Sequence, residues 1–444
     1  MANSFSEIVT RRFPNSRKEL VVGEVRATVL AETYGTPLFV YDRSAIDAQL
    51  SALRIALPSR FNVFYSIKAN PNPTVVKHLL SQGCGLEIAS AGEFQTALEA
   101  GCDPGNILFA GPGKLETELE FVLANGIGEI HLESLVEAKR LASIARQLGV
   151  RAKVAIRINP AGEAEGGAMR MGGRPAAFGI DEESLEEAID AVTASDALDF
   201  GGIHLFAGTQ ILDAGVLAKQ YKHGLEIARR AALKIGRPLR TVDFGGGLGV
   251  PYFAHEKELD LVKLREELAK VFDEIGNDRL FDGTHFVVEP GRFLTAECGV
   301  YITRVHDIKI SRGKKFIILD GGMHHHLAAS GNLGQTIKRN YPVAVLNRLD
   351  QSLVQTAEVA GPLCTPLDTL ARNVELPRTE IGDLFGIFQS GAYGRSASPL
   401  GFLSHPAPAE VWVDGATHTL IMERGAPGSA ATRTAMLTPS VVKK

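Results

Sequence analysis

The stretch NVFYSIKANPNPT, residues 62–74, sets the interpretation of the whole chain. Its apolar first half favours a β-strand, and Pro71 and Pro73 prevent that strand from continuing. Lys68 is therefore predicted at the carboxyl end of a strand, with a helix directly after it. In α/β proteins reacting groups collect at this end, because the loops there converge on one cleft.

A lysine in this position has two common uses. It can stay charged and hold an anion, or lose its proton in a desolvated pocket and attack a carbonyl carbon. A solvated loop lysine is the third possibility, and for an isolated lysine it would be the better one. The rest of the chain has to decide between them for Lys68.

Short apolar runs alternate with helical segments from residue 62 to about residue 290. Eight such runs are present, at residues 63–67, 85–89, 107–110, 129–132, 152–158, 200–206, 241–244 and 285–288. Eight β/α units in roughly 240 residues fit a (β/α)8 barrel, which typically needs about 250. A doubly wound open sheet is the alternative, but the sequence reveals no reversal of strand order.

After about residue 299 the pattern becomes rich in β-strand signals, with Gly and Pro between them and no long helices. We therefore predict an α/β barrel followed by an all-β domain, a C-terminal β-sandwich or β-barrel. The predicted parts are residues 1–37, packing on the β-domain, residues 38–299, the barrel, and residues 300–444, the β-domain.

The composition limits the kinds of partner. The 444 residues include 47 Lys and Arg against 51 Asp and Glu, a net charge of −4 that indicates neither a nucleic-acid nor a membrane surface. No apolar run approaches membrane-spanning length, and the start MANSFSEIVTRRF lacks the features of a signal peptide. We expect a soluble cytoplasmic protein whose four cysteines are reduced.

Polar and glycine residues follow several of the predicted barrel strands. The run GGGLG, residues 245–249, does not give G-x-G-x-x-G, because Val250 occupies the last position. Consecutive glycines nevertheless let backbone N–H groups approach and cradle a phosphate or another anion. Thr209 and Arg292 could add a hydroxyl and a guanidinium to the same anion.

Glu289 follows the last predicted barrel strand and suggests a more specific ligand. A carboxylate beside a pyridine nitrogen favours the protonated ring, by roughly one to three pKa units. A lysine for an imine, an acid for a ring nitrogen and a glycine cradle for a phosphate are the three groups that pyridoxal phosphate requires.

Six blocks of the sequence carry a resemblance to a known family. FYSIKAN, HLFAGTQ, VDFGGGLG, VEPGR, GPLCTPLD and GAYG, in this order, resemble the signature blocks of the fold-type III pyridoxal-phosphate decarboxylases, the diaminopimelate and ornithine decarboxylase family. The resemblance covers residues 34 to about 413. It implies an amino-acid decarboxylase that works as a homodimer with shared active sites.

The same resemblance assigns residues to roles. Lys68 would form the imine with the cofactor, and Cys364 of the β-domain would donate a proton to the carbanion in the partner's site, with Asp368 near it at the substrate. The other implied cofactor contacts are Phe206, Thr209, Gly246, Gly247, Glu289, Gly291, Arg292 and Tyr393. By residue type alone Cys364 would be a buried packing residue; its place in GPLCTPLD favours catalysis.

The sequence departs from the family at the positions that select the substrate. Phe206 stands where a stacking histidine is usual, and Thr365 stands where diaminopimelate decarboxylases have an acid for the distal amino group. A neutral hydroxyl cannot neutralise an ammonium. The insert at residues 161–177 stands in place of the short Ser-Lys-Phe-Gly segment that family members have before the equivalent of Phe178 and Gly179. Its Arg170 and Arg174 could bind a carboxylate or a phosphopantetheine phosphate.

A further departure lies at residues 322–331, which lack the Arg-Pro-x-x-Tyr pattern that holds the distal carboxylate. His324, His325 and His326 fall in this segment and could suggest a metal. Neighbours on a strand point to opposite faces, however, and no further ligand is evident. We therefore predict pocket or surface histidines and no metal.

These departures favour the branch of the family that decarboxylates modified or carrier-linked amino acids. The predicted function is a decarboxylase for a non-standard substrate, such as one tethered to an acyl carrier protein. The first alternative is a diaminopimelate decarboxylase with a rebuilt distal pocket. A racemase is disfavoured, because Cys364 and GAYG belong with the decarboxylase pattern. A catalytically silent cofactor-binding barrel is the alternative from another class.

Overall fold

The computed structural model describes residues 4–161, 169–170, 175–206, 208–253, 255–276 and 278–426. These residues form two compact units. One unit contains the described residues up to 44 together with those from 298 onward, and the other contains residues 45–297. None of the helices in the described ranges is long and apolar enough to cross a membrane.

The unit of residues 45–297 is a closed barrel of eight parallel strands. The strands are, in chain order, Phe61–Ser66, Gly85–Ile88, Ile107–Phe109, Glu129–Leu132, Ala152–Asn159, Leu198–Leu205, Thr241–Asp243 and His285–Val288. The last strand pairs with the first, with Phe286 opposite Phe61 and Val288 opposite Val63. This closure confirms the predicted barrel and excludes the open doubly wound sheet.

Helices follow the barrel strands and bring the chain back to start the next one. They are Pro73–Ser81, Ala91–Glu99, Glu116–Ala124, Leu135–Leu148, Leu185–Thr193, Ala214–Ile235, Leu261–Asp273 and the short Arg292–Thr295, whereas helix Arg43–Ala56 precedes the first barrel strand. Serine caps set two of their starts: the Ser90 hydroxyl accepts from the Glu93 N–H at 3.2 Å, and Ser134 accepts from Glu137 at 3.1 Å. Such local capping fixes where each strand-to-helix loop lies.

The other unit is a mixed β-domain. Its strands are Val21–Val22, Val25–Arg26, Leu38–Asp42, Gly299–Ser311, Lys314–Leu319, Val343–Val345, Gln355–Ala360, Thr369–Leu376, Leu384–Ile387, Ala409–Asp414 and Thr417–Met422, and its helices are Ser4–Arg12 and Ala27–Tyr34. The long strand Gly299–Ser311 pairs antiparallel with three others and links the sheet together. The prediction of a barrel plus a separate β-domain is confirmed.

The predicted start of the barrel domain at residue 38 needs correction. Strand Leu38–Asp42 pairs with Gly299–Ser311 and Ala409–Asp414, so it belongs to the β-domain. The sequence could not show this, because a short apolar run followed by the helix Arg43–Ala56 has the pattern of a β/α unit. Only the long-range pairing assigns the strand to its sheet.

Four strands of the β-domain were not predicted: the two-residue strands Val21–Val22 and Val25–Arg26 and the longer strands Thr369–Leu376 and Thr417–Met422. Thr369–Leu376 contains Asn373 with a φ of 45°, and such an irregular backbone obscures the alternating pattern. Thr417–Met422 is an edge strand with no fully buried residue, so it lacks the alternation of apolar and polar residues that marks a half-buried strand. The N-terminal segment belongs to the same hydrophobic core, where Leu20 and Leu30 pack in one cluster with Val300 and Phe388.

Candidate active site

Lys68 lies directly beyond the first barrel strand, in the single helical turn Ile67–Ala69. Its Nζ is 3.0 and 2.9 Å from the two carboxylate oxygens of Glu87 on the second strand. The Glu87 side chain is 2 % exposed, whereas the Lys68 side chain is 47 % exposed. A buried carboxylate thus holds the ammonium at the carboxyl end of the strands, and the lysine stays accessible to a ligand.

The EPGR segment, residues 289–292, lies against the turn that carries Lys68. The Ser66 N–H donates to the Pro290 carbonyl at 3.4 Å. A Cβ added to Gly291 would be 2.9 Å from the Ala69 Cβ, closer than two such atoms can lie. Glycine at 291 therefore permits the close approach of the last barrel strand's loop to Lys68.

The glycine turn after the seventh strand is equally close to its neighbours. Gly245 and Gly247 have φ values of 65° and 97°, which favour glycine. A Cβ on Gly245 would be 2.5 Å from the Leu205 carbonyl oxygen, and one on Gly246 would be 2.7 Å from that of Glu289. The turn is thus packed between the backbones of the sixth and eighth strand ends, where a side chain has no room.

Thr209 and Arg292 reach the same end of the barrel. A Cβ on Gly247 would be 2.8 Å from the carbonyl oxygen of Gly208, the residue before Thr209. The Arg292 Nη1 donates to the Tyr252 hydroxyl at 2.9 Å, and its guanidinium lies 5.4 Å from the centre of that ring. The structure therefore brings the predicted phosphate-binding segments together around the glycine turn.

Phe206 also lies at this turn. If Gly245 and Gly246 carried a Cβ, that atom would be 3.0 and 3.7 Å, respectively, from a carbon of the Phe206 ring. The Arg157 guanidinium is 5.8 Å from the Phe206 ring centre and forms an ion pair with the buried Glu133 at 2.7 Å. An aromatic face beside the glycines suits stacking on a cofactor ring. Stacking by Phe206 stays a prediction.

Glu289 is buried, with 5 % of its surface exposed. Its Oε2 is 3.3 Å from the His204 Nε2, and its Oε1 has no hydrogen-bond partner among the described residues. Burial acts to raise the pKa of Glu289, but the interactions with His204, with His131 and with the Lys68 ammonium together outweigh burial and lower this pKa below the ordinary value. Burial and the Glu289 charge together raise the pKa of the neighbouring Asp243, so Glu289 is the ionised member of the pair.

Four residues of this region were missed by the sequence reading. They are Glu87, Glu133, His131 and Asp243, and all four are buried. Three lie within short apolar strands, where an ionisable side chain is out of place, and Glu133 directly follows one. An ionisable residue within an apolar strand could have been used to predict the site, because a barrel strand has one face toward the barrel interior and one toward the helices.

Three predicted site residues lie in the β-domain. Cys364 is exposed, as a residue that acts in another subunit would have to be. Asp368 is buried, and its two oxygens accept the N–H groups of Met323 at 2.6 Å and Leu363 at 2.9 Å. This carboxylate therefore holds its own loop, and each of its oxygens keeps a second lone pair as an acceptor. Tyr393 is half-buried, with a φ of 53°. Their roles stay predictions.

The histidines at 324–326 require a correction. They were predicted as pocket or surface residues on a strand, but all three are buried and the segment is a turn. His325 contacts the Tyr301 hydroxyl at 3.0 Å, and His326 contacts the Ser390 hydroxyl at 2.9 Å. Burial lowers the pKa of His326 to about 3, so it is neutral and packs as a polar core residue.

The candidate substrate residues Arg170 and Arg174 cannot be placed. Arg174 and the side chain of Arg170 lie outside the described residues. The Arg170 backbone belongs to a two-residue strand that pairs with Gly208–Thr209. The Met169–Arg170 backbone thus lies next to Thr209, and the role of the insert in substrate binding stays a prediction.

Glu93, beside the second strand end, provides a pH-dependent prediction. Its Oε2 accepts the Ala89 N–H at 2.7 Å. Burial raises the pKa of Glu93 from 4.5 to about 7, so its contribution to stability is full below pH 4.5 and is lost as the pH rises through 7. We expect Glu93→Gln to reduce the loss of unfolding free energy between pH 5.5 and 8 by about 1–2 kcal/mol.

Urea denaturation at the two pH values measures this difference. Glu99→Gln, on the exposed part of the same helix, is the matched control and should leave the pH dependence as it is in the wild type. Equal pH dependence in the Glu93→Gln protein and the wild type would show that the pKa of Glu93 is not raised in the folded protein.

The residues at this end of the barrel fit pyridoxal phosphate. An accessible lysine, a glycine turn with no room for side chains and a buried carboxylate with an orphaned oxygen lie around one strand edge. These are the groups for an aldehyde, a phosphate and a pyridine nitrogen. Fold and site together define a pyridoxal-phosphate barrel enzyme. His131, His204, Asp243 and Glu289 also have the donor types of a metal site, and the prediction of no metal stays a prediction.

Comparison with known proteins gives the family. The sequence model of the pyridoxal-dependent decarboxylases, for their pyridoxal binding domain, matches residues 43–296. The chain is 38 % identical over 405 residues to the L-glutamyl-[BtrI acyl-carrier protein] decarboxylase of Niallia circulans, covering 90 % of this chain and 94 % of that one. It is 33 % identical to the diaminopimelate decarboxylase of Methanothermobacter thermautotrophicus, covering 92 % and 94 % of the two chains.

The fold comparison agrees. The crystal structure of diaminopimelate decarboxylase from M. jannaschii, in complex with L-lysine, superposes with a TM-score of 0.85 at 26 % identity, covering 93 % of this chain and 95 % of that one. The chain belongs to the family of pyridoxal-dependent decarboxylases. It is a pyridoxal-phosphate-dependent carboxy-lyase acting on an amino acid, which confirms the predicted family, cofactor and reaction and sets the silent-barrel alternative aside.

Proposed function

We propose that this decarboxylase acts on an amino acid tethered to a carrier protein, with an L-glutamyl acyl-carrier thioester as the first candidate. The observation that carries the proposal is Thr365, directly after Cys364. It offers no charge to the distal ammonium that diaminopimelate would present. The 38 % identity to a decarboxylase named for a carrier-linked glutamyl substrate supports the same choice.

The residues of the barrel have separate tasks in this reaction. When bound, pyridoxal phosphate supplies the electron sink for the electron pair that remains after carbon dioxide leaves. Lys68 would hold the cofactor at its aldehyde carbon, and the glycine turn would orient it through the phosphate. Glu289, ionised and buried, would accept a hydrogen bond from the ring nitrogen and fix its proton there.

Cys364 is proposed to return a proton to the substrate α-carbon. A thiol can act as a general acid toward a carbanion. Because Cys364 is exposed in the single chain, we propose that it acts in the active site of a second copy, in a homodimer with shared sites. The alternative substrate assignment, diaminopimelate, differs only in what the distal pocket must bind.

Arg170 and Arg174 are proposed to bind the acidic part of a carrier-linked substrate, such as its phosphopantetheine phosphate. Replacing both by alanine should raise KM for that substrate by about tenfold while the cofactor absorption is unchanged, because each lost guanidinium–phosphate contact weakens binding only. The exposed pair Arg151 and Arg265, replaced in the same way, is the control. Steady-state kinetics with an unchanged KM would remove the insert from substrate recognition.

The experiment that tests the substrate is a carbon-dioxide release screen. Its substrates are glutamyl-carrier conjugates, free glutamate, diaminopimelate, lysine, ornithine and arginine. We expect the highest kcat/KM with the glutamyl-carrier conjugate and little release from free glutamate. A highest value for diaminopimelate would replace the proposal by its alternative.

A further inference from the structure

A cluster of buried ionisable side chains lies behind Glu289 in the barrel interior. His131, His204, Asp243 and Glu289 each place one nitrogen or oxygen within 4.8 Å of the others. None of the four is more than 5 % exposed. They come from the fourth, sixth and seventh strands and the loop after the eighth, so the closed barrel alone brings them together.

The cluster is poorly satisfied by hydrogen bonds. Among the described residues, both ring nitrogens of His131 and of His204 lack a hydrogen-bond partner, as do the Asp243 Oδ2 and the Glu289 Oε1. Buried polar groups are normally paired, and leaving them unpaired costs stability. Two nearby carboxylates with one free oxygen each can share a single proton, which suits a protonated Asp243 beside an ionised Glu289.

The imidazoles of His204 and His131 lie one behind the other next to the Glu289 carboxylate. The His204 Nε2 is 3.3 Å from Glu289, and the His131 ring lies against His204 with 4.4 Å between ring centres and a tilt of 35°. Burial lowers the pKa of His204 to about 4, so it is a neutral imidazole. A neutral ring can present an Nε2–H to Glu289 only in one tautomer and one orientation.

Glu129 lies beside His131 on the side toward the amino ends of the strands. The His131 Nε2 is 3.5 Å from the Glu129 Oε1 and 4.0 Å from the Asp243 Oδ2. The other Glu129 oxygen accepts the Thr241 hydroxyl at 3.2 Å. Glu129 and Thr241 line a cavity of about 560 Å³ at the amino ends of the strands, opposite Lys68. The polar cluster thus runs through the barrel from this cavity to Glu289.

We propose that His131 and Asp243 are positioning residues for the cofactor ring nitrogen. His131 packs on His204 and keeps its Nε2–H directed at Glu289, and Asp243 carries the proton that would otherwise neutralise Glu289. Neither residue touches the substrate. The inference rests on the proposed role of Glu289, and it predicts that the preference of the site for a basic ring nitrogen depends on His131.

The test measures binding of two cofactors to the apoenzyme, without substrate. Pyridoxal phosphate is compared with its 1-deaza analogue, in which the ring nitrogen is a carbon, and the ratio of the two Kd values reports the nitrogen interaction alone. We expect a wild-type preference for pyridoxal phosphate of about tenfold or more, and a ratio of about one in Glu289→Gln. His131→Phe, which keeps an aromatic ring, should reduce the wild-type ratio by about threefold or more.

His285→Phe is the matched control, because His285 lines the same cavity but contributes no atom to the cluster. Its ratio should equal that of the wild type. If His131→Phe does not fold, as judged by its melting temperature, His131→Gln and Asp243→Asn are measured instead. An unchanged ratio in the folded variants would overturn the inference. An unchanged ratio in Glu289→Gln would instead overturn the proposed role of Glu289, and neither result depends on the substrate.

Discussion

Replacing Lys68 by alanine is expected to abolish decarboxylation, lowering kcat by about 10⁴-fold or more. The visible absorption of the lysine-bound cofactor should disappear in the same variant. The physical reason is that Lys68 is an accessible amine at the strand edge where the glycine turn and Glu289 converge. Absorption spectra and single-turnover carbon-dioxide release measure the two effects.

Removing the lysine also leaves Glu87 buried without its ammonium partner, so stability has to be separated from chemistry. Lys68→Arg keeps a cation beside the 2 % exposed Glu87 carboxylate but cannot attack a carbonyl carbon, so it should fold normally and still be inactive. Lys77→Ala, on the exposed face of the next helix, should behave as the wild type. Turnover or visible absorption retained by Lys68→Arg would exclude Lys68 as the attachment site.

Replacing Cys364 by alanine should lower kcat by about 10²–10⁴-fold, the usual range for a lost general acid, while cofactor binding is kept. The thiol is exposed, so folding should be unaffected. Product formed in heavy water should lose its stereospecific label, because solvent then protonates the α-carbon from either face. Cys102→Ala, at a buried cysteine, serves as a control for the loss of a thiol itself.

Mixing the two inactive proteins tests whether the site is shared. The two proteins are Lys68→Ala and Cys364→Ala. If Lys68 of one subunit works with Cys364 of the other, random exchange makes half of the dimers hybrids, and each hybrid has one intact active site and one inactive one. Activity should then recover to about a quarter of the wild-type value. Lack of recovery, with exchange demonstrated by differently tagged subunits, would show that Lys68 and Cys364 do not combine across an interface.

The amino-acid sequence was enough to predict the barrel and the strand edge where its chemistry lies. Each of the eight strands is a short apolar run bounded by turn residues, and several helices begin at a capping side chain such as Ser90 or Ser134, so local physics sufficed to count them. The glycine turn was predictable in the same way, because a run of residues without side chains has few structural explanations. Lys68 and Glu289 followed from the rule that parallel strands share one carboxyl edge.

The tertiary structure alone decided which residues are partners. It assigned Leu38–Asp42 to the β-domain, placed Glu87 under Lys68 and buried His324 with its neighbours in a turn. It also gathered His131, His204 and Asp243 behind Glu289. Periodicity in a sequence gives the face on which a side chain lies, but contacts between distant strands depend on sheet order and register. These become fixed only when the barrel closes and the sheet of the β-domain pairs.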